Sequence, residues 1–549
     1  MQLIECVPNF SEGNDLHIIK QITDEIEKVE GVRLLNTDPG KATNRTVVTF
    51  VGEPHAVIEA AYQAIKKAGQ LIDMSKHKGE HPRMGATDVC PLIPIANISM
   101  EETAAYAQQL AKRVGEELSI PVYLYEAAQP DSTRNNLSVI RAGEYEGFFK
   151  KIKEPKWKPD FGPAEFDPAR GATVIGARDF LVAYNINLNT TSTRRANAIA
   201  FDVREAGRNI EVDNKKINQP GTLKSVKAIG WFIEEYGVAQ ISMNLININT
   251  TPVHIAFDEV CSKANARGIR VTGSELVGLI PLKAMLDAGK YFLQKQQRST
   301  GVSEKELIKI AVKSMGLDEL QPFKPEERII EYLLANTTGS KLINMPLNNF
   351  ADETASESPA PGGGSIAAYV GVLGASLATM VANLSAHKKG WDERWQEFSD
   401  WAEKGQQYKN ELLKLVDADT AAFNKIMEAF ALPKISEEEK ATRTQAIQQA
   451  TKYAIEIPFA VMQASYESME IIKAMAATGN PNSVSDAGVA ALCARTAVMG
   501  AFLNVRINAA GYNDKIFVTD IVTRGTAIEN NTIALETEIL KLVNEKIGV

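Results

Sequence analysis

Two of the chain's six histidines, His77 and His81, fall in one short stretch, KHKGEHPRMGATDVCPLIP (residues 76–94), among Lys76, Lys78, Glu80 and Arg83. On a helix, histidines at i and i+4 can share a metal ion. Here Gly79 lies between them and Pro82 follows directly, which disfavours helical geometry at His81. No further His or Cys ligand is nearby in sequence, so the spacing argues against a metal site. Two readings stay open, an exposed loop that happens to carry histidines and a catalytic loop. An imidazole that titrates near neutrality, beside Lys76, Lys78 and Arg83, suits proton transfer next to an anionic substrate. The same cations would lower its pKa and keep it a base at neutral pH.

Other polar residues share this double character. In CVPNFSEG (6–13), Asn9 and Ser11 cap the next helix or stand at a strand end that faces a ligand. Asp38, in NTDPGKATNRT, is a turn former, or a site carboxylate if its loop meets His81. In PAPGGGS (359–365), three glycines, Gly362, Gly363 and Gly364, precede Ser365 at the start of an Ala-rich helix. Such an N-terminus leaves backbone N–H groups for an anion, although close helix packing explains the glycines equally well. The run is neither a P-loop nor a full dinucleotide fingerprint. In LVDADTAAF (415–423), Asp417 and Asp419 would point about 200° apart on a helix, so one pocket does not suit both. Leu412, Val416, Phe423, Ile426 and Phe430 trace an apolar stripe, with Asp419 on it and Asp417 on its flank. A carboxylate on a buried face is costly unless it is paired or used. A structural hydrogen bond and catalysis both remain as readings for Asp419. In NSVSDAGVAA (482–491), Ser483, Ser485 or Asp486 caps another helix.

The elements that must hold these residues alternate up to about residue 325. TVVTFVG (46–52) is a β-rich run, and HAVIEAAYQAIKKAGQLI is helical. Ser99 and Glu102 form a capping box for the helix that follows, and PVYLYEA is a strand. A second unit begins near residue 172. FLVAYNINLN and AQISMNLININ read as strands, SVKAIGWFIEEYG as a helix or its approach, and VHIAFDEVCSKANARG as a helix ending at Gly268. IRVTGSELVGLIP returns to extended chain, and GPAEFDPARGATVIGAR suits a crossing loop rather than an element. From about residue 301 the pattern turns helical, with Ser303 and Glu306 as another capping box, and after SESPAPGGGS it stays helical to Val549.

The composition bounds the function class. A chain of 549 residues is too long for one core, and 44% hydrophobic with 23% charged residues reads as soluble and globular. A net charge of −8 argues against non-specific nucleic-acid binding and against a polybasic membrane surface. Four scattered cysteines, Cys6, Cys90, Cys261 and Cys493, with no CxxC pair, fit a reducing cytoplasm. The N-terminus has no basic-then-apolar signal pattern. The stretch 365–386 is long and uncharged enough to raise a transmembrane question. Its Ala, Gly and Ser content, and the lack of a second such span, point instead to a closely packed central helix of a bundle.

Taken in order, LIECVPNFSEG, DPGKATNRTVVTFVG, HKGEHPRMGATDVCPLIP and GATVIGARDFLVAYNINLNT resemble glutamate formimidoyltransferase. PAPGGGSIAAYVGVLGASLATMV, LVDADTAAFN and SDAGVAA resemble formimidoyltetrahydrofolate cyclodeaminase. Together they resemble the bifunctional formimidoyltransferase–cyclodeaminase family over nearly the whole chain. The resemblance implies a multidomain protein: two α/β subdomains (α+β sandwich, ferredoxin-like) forming the transferase, followed by an all-α helical-bundle cyclodeaminase domain. The boundaries expected are 1–178, 179–325, a linker 326–341, and 342–549.

The resemblance also implies roles. Tetrahydrofolate, a co-substrate, would lie between the first two subdomains, and no metal would be needed. The family's catalytic histidine falls on His81, with Asp38 a candidate to orient it. Its folate-binding loop falls on Gly162 to Gly171, which puts Gly162, Pro163 and Gly171 on the ligand, with Gly362 to Ser365 holding folate in the last domain. The cyclodeaminase acid/base lies in the DAD stretch, where the stripe favours Asp419 over Asp417. Arg83, Arg194, Arg195, Lys76 and Lys78 are candidates for the substrate carboxylates, with Asn9 and Ser11 beside them. The partners implied are N-formimidoyl-L-glutamate and tetrahydrofolate with its polyglutamates, in a cytoplasmic homo-oligomer of at least two chains. The rival readings are a last domain that hydrolyses methenyltetrahydrofolate, a folate-binding protein without turnover, and a zinc hydrolase.

Overall fold

A computed structural model describes residues 2–41, 43–79, 82–212, 215–335 and 342–548. Two compact units are present, one of Met1–Ala284 with Met315–Leu334, the other of Met285–Ser314 with Ala335–Val549. The chain thus begins with α/β structure and continues as helices. Met285–Ser314, which the sequence assigns to the second α/β half, groups with the helical unit.

The first unit contains two main sheets. The first is built from β1 (Leu3–Cys6), β2 (Asn9–Phe10), β3 (Val32–Gly40), β4 (Arg45–Gly52), β5 (Thr87–Ala96), β6 (Val122–Glu126) and β7 (Thr173–Ala177). β1 and β2 both pair β4 on one side and β5 on the other, as two pieces of one interrupted strand. β3 adds outside β4, and β7 and β6 follow β5 in parallel. Alternation along the strands separates two faces. Ile4, Cys6, Val48, Phe50, Cys90 and Leu92 face helices Leu16–Glu27, Pro54–Leu71 and Met100–Leu118. Val89, Val174 and Tyr123 face the other way, under Phe148 and Trp157.

The ribbon β9 (Arg208–Val212) and β10 (Lys215–Gln219) separates β8 (Val182–Leu188) from β11 (Val226–Ile233), β12 (Val238–Leu245) and β13 (Val271–Val277). The second sheet runs β11-β12-β8-β13, all antiparallel. Helices Thr193–Val203 and Val253–Asn265 pack on it.

Three expectations change here. SVKAIGWFIEEYG is strand β11 and its hairpin turn, not a helix, because its residues pair with β12 from Val226 to Ile233. The segment expected to be only a crossing loop contains β7, a central strand buried along all of its length. Asn9 and Ser11 do not cap the next helix; Asp15 does, accepting the His17 and Ile18 N–H groups.

In the helical unit, Gly363–Ala386 packs against Trp395–Ala431, Glu437–Thr478 and Val484–Ala509. Glycines permit the approach: Gly371 sits against Ser465 and Ala497, and Gly374 against the Ala490 backbone. A second span, Pro481–Ala509, is also long and apolar enough to cross a membrane, contrary to the expectation of one. Half or more of the apolar window of each is buried within the protein, and each owes its low polarity to small residues at helix contacts. The expected apolar stripe on Trp395–Ala431 is only half buried: Leu412 and Val416 are enclosed, whereas Phe423 and Phe430 are exposed.

Candidate active sites

The register of the first sheet brings together residues that are far apart in sequence. Asp38 opposes Val47, Val47 opposes Asn9, Asn9 opposes Val89, Val89 opposes Val174 and Val174 opposes Tyr123. Directly opposed residues share a face, so Asp38 and Asn9 stand on the face away from the three helices. At about 4.8 Å per strand they lie roughly 10 Å apart. Asp38 is a strand residue here, not a turn former. Asn9 is buried and its Nδ2 donates to the Val7 carbonyl at 2.8 Å. Ser11 is buried as well, its Oγ donating to the Gly85 carbonyl at 2.8 Å and its N–H to Ala86 O at 2.9 Å. Ser11 therefore holds the strand end against the loop that precedes β5, while Asn9 braces its own strand at Val7.

That loop carries the histidine pair. His81 lies outside the described residues. The chain around it, residues 77–79 and 82–83, is not helical. His77 is engaged at both ring nitrogens: its Nε2 lies 2.8 Å from the Asn44 carbonyl, and its Nδ1 accepts from Arg83 Nε at 3.2 Å. Arg83 is buried and its guanidinium is engaged by Glu146, at 3.1 Å from Nη1 and 2.7 Å from Nη2. Burial raises the Glu146 pKa, but the bonds from Arg83 outweigh it and hold the carboxyl below its usual range. Lys76 pairs with Asp73 at 2.8 Å, and Lys78, Arg194 and Arg195 are exposed, the two arginines in the first turn of Thr193–Val203.

The segment from Gly162 to Gly171 lies against the same loop. Gly171 bridges Gly85, and Ala86 N–H donates to Arg170 O at 2.8 Å. Gly171 has φ +67° and leaves no room for a Cβ against the Met84 carbonyl; Gly162, at φ +81°, stands likewise against the Ile120 carbonyl. These glycines are required by backbone crossings, so the two loops are held as one layer. Pro163 is half-buried next to Gly162.

Sequence reasoning passed over a charged cluster on this face. Asp88, the second residue of β5, is fully buried, accepts Met84 N–H at 3.0 Å and is ion-paired with Arg141. Arg45 faces both charges. Burial raises Asp88, and the two arginines pull it back only in part. An aspartate opening the apolar run DVCPLIPIA was the available signal; Arg141 had none.

The helical unit supplies a second site. Gly362 is the N-cap of Gly363–Ala386 and has no side chain to cap it. Ser365 is fully buried, and its Oγ donates to Asp419 Oδ2 at 2.8 Å. A Cβ on Gly364 would overlap the Asp419 carboxylate, whereas Gly363 has space. Burial raises the Asp419 pKa above its usual range, and bonds from the Ser365 hydroxyl and backbone N–H offset part of the shift. Asp417 points elsewhere, its Oδ1 accepting Leu342 N–H at 3.0 Å. Asn504, which the sequence did not single out, approaches Gly363 from Val484–Ala509. Ser483 is the N-cap of that helix but makes no side-chain cap bond.

A carboxylic acid poised by burial at a helix N-terminus can take and return a proton while nearby N–H groups hold an anion. Among the described residues, no group of three His, Cys, Asp or Glu is arranged to hold a metal ion.

Three family patterns match the chain: the formiminotransferase N-terminal subdomain over 3–178, the formiminotransferase domain over 183–335 and formiminotransferase-cyclodeaminase over 346–526. The formimidoyltransferase-cyclodeaminase of Gallus gallus is 46% identical over 527 residues, covering 95% of this chain and 96% of that one. The glutamate formimidoyltransferase of Thermoplasma acidophilum is 44% identical over 296 residues, 54% of this chain and 93% of its own. The methenyltetrahydrofolate cyclohydrolase of Methylorubrum extorquens is 36% identical over 205 residues, 37% of this chain and 99% of its own.

Proposed function

The chain belongs to the formimidoyltransferase–cyclodeaminase family, and from that membership we infer a two-step enzyme of folate one-carbon chemistry. It moves the formimidoyl group from N-formimidoyl-L-glutamate to tetrahydrofolate. It then closes 5-formimidoyltetrahydrofolate to 5,10-methenyltetrahydrofolate and releases ammonia.

In the first step N5 of tetrahydrofolate attacks the formimidoyl carbon and a tetrahedral intermediate forms. The proton lost by N5 must reach the glutamate nitrogen as its bond to that carbon breaks. His81 is our choice for this shuttle, with Asp38 on the sheet face orienting it or balancing its charge. In the second step N10 attacks the same carbon. The formimidoyl nitrogen enters protonated, as an amidinium; Asp419 takes the N10 proton and delivers it to that nitrogen, which leaves as ammonia while the methenyl cation keeps the positive charge. The free N–H groups from Gly362 to Gly364 hold the anionic tail of folate, as the Gly162–Gly171 loop does in the transferase. Neither step calls for an electron or a Lewis acid.

The observation that carries the second half is the pairing of half-buried Asp419 with buried Ser365 at the mouth of Gly363–Ala386. The α+β, ferredoxin-like description of each transferase half belongs to this reading, as do the cytoplasm and a homo-oligomer. Exposed Leu373, Leu384, Val489 and Leu503 on two neighbouring helices support association. The cyclohydrolase relative keeps hydrolysis of the methenyl compound as a second reading for the last domain.

His81→Ala tests the first half. Formimidoyl transfer should fall at least ~100-fold, the scale of a lost acid/base group, while tetrahydrofolate affinity stays within a factor of about three. Transfer at the wild-type rate would remove His81 from the mechanism.

A further inference from the structure

The apolar stripe of Trp395–Ala431 changes its surroundings part-way along the helix. Leu412 and Val416 are enclosed in the bundle core. Asp419 comes next on the stripe and meets the first turn of Gly363–Ala386, at Ser365 and Gly364. Beyond that point the helix runs on past the end of its neighbour to Ala431. Phe423 and Phe430 continue the stripe at 39% and 51% exposure, with Ile426 half-buried between them. Phe423 is thus the first stripe residue that the core leaves uncovered.

Phe423 stands at i+4 from Asp419, so the two share a face, about 6 Å apart along the axis. Helical side chains lean toward the N-terminus, which carries the Phe423 ring back over the turn that holds Asp419. Among the described residues no aromatic ring or cation covers Phe423, whereas Arg443 lies over Phe430, 5.5 Å from its centroid. The mouth opposite is backbone: Gly363 has room for a Cβ, and the Asn504 side chain is what that atom would meet. An acid, a glycine helix end and one bare aromatic ring therefore adjoin.

A substrate at Asp419 brings a ring of matching character. For proton transfer, N10 of 5-formimidoyltetrahydrofolate must come within about 3 Å of the carboxylate. The aminobenzoyl ring is bonded directly to N10, so it lies within one helical turn of Asp419. Its faces are apolar, as are Phe423 and Ile426, whereas the pterin edge would leave hydrogen-bonding groups unmatched against them. Two such rings pack well in offset contact.

We propose that Phe423 is the ring-binding wall of the cyclodeaminase mouth, stacking on the aminobenzoyl ring of the folate substrate while N10 stands at Asp419. The proposal rests on the cyclodeaminase reading of the last domain. The folate tail leaves from the far side of the same ring, toward the Gly362 to Gly364 N–H groups.

The test uses the full-length enzyme and the variants Phe423→Ala, Phe423→Tyr and Phe430→Ala. Ammonia release is measured against 5-formimidoyltetrahydrofolate concentration, with formimidoyl transfer as a control and gel filtration as the measure of assembly. Phe423→Ala should raise KM at least ~10-fold, the scale of a lost aromatic contact with its buried area, with kcat within about threefold. Phe423→Tyr keeps the ring and should hold KM within about threefold of wild type. Phe430→Ala should do the same, because that residue lies about 16 Å along the helix from Asp419. Transfer rate and elution should match wild type in all three. An unchanged KM in Phe423→Ala overturns the proposal, and so does a fall in kcat alone or an equal loss in Phe423→Tyr. Equal losses in Phe423→Ala and Phe430→Ala with altered elution also overturn it, since they mark a face covered by a second copy of the chain. A wild-type protein that releases no ammonia from the formimidoyl compound would instead overturn the cyclodeaminase reading itself.

Discussion

At the scale of single residues, environment separates two aspartates that are two positions apart. Asp417 is committed to the Leu342 N–H, whereas Asp419 is half-buried against Ser365 with its pKa raised. A raised folded-state pKa means that the fold favours the protonated acid. The corresponding stability is fully present below the unfolded value, about 3.9, and is lost as pH rises through the folded value. Asp419→Asn should therefore cut ammonia release ~100-fold or more without lowering Tm at pH 7 to 8. Any gain in Tm should fade as the pH approaches 4. Ser365→Ala removes a bond that lowers this pKa, so the acid limb of the cyclodeaminase profile should move to higher pH. A pH–rate profile with an unmoved acid limb would contradict the assignment. Asp419 was legible in the sequence because one helix's own period places it. Asp38 was not, because its face depends on the pairing of four strands, and Arg141 depends on a tertiary ion pair.

At the scale of elements, glycines decide which backbones can approach a site. Gly364 has no room for a methyl group beside Asp419, but a Cβ at Gly363 would meet only the Asn504 side chain, at 3.6 Å. Gly364→Ala should lower cyclodeaminase kcat at least ~10-fold, and Gly363→Ala should stay within about threefold, with transferase rates unaffected in both. Equal effects would mean that the helix mouth is not shaped around the carboxylate. The misread elements have physical causes. The central parallel strand TVIGA is covered on both faces and so lacks the alternation that marks a half-exposed strand. In SVKAIGWFIEEYG the charges belong to a hairpin turn, and exposed Ile229 and Phe232 blur the alternation of β11. The helix stripe misled at its far end for the opposite reason, since apolar Phe423 and Phe430 lie outside the core.

At the scale of the whole molecule, two chemistries that act on one carbon occupy separate units of one chain, each with its own core. The α/β-then-helical order was legible from periodicity alone, whereas the grouping of Met285–Ser314 with the helices was not, because helical pattern does not reveal which core a helix joins. The central claim is that the product of the first unit is the substrate of the second. It is tested most directly by adding formimidoylglutamate and tetrahydrofolate to the purified enzyme and following methenyl absorbance and ammonia together. The two should rise in equal amounts, and His81→Ala and Asp419→Asn, each unable to complete the conversion alone, should restore it when mixed. Transfer that stops at the formimidoyl compound, or methenyl hydrolysis without ammonia release, would contradict the account.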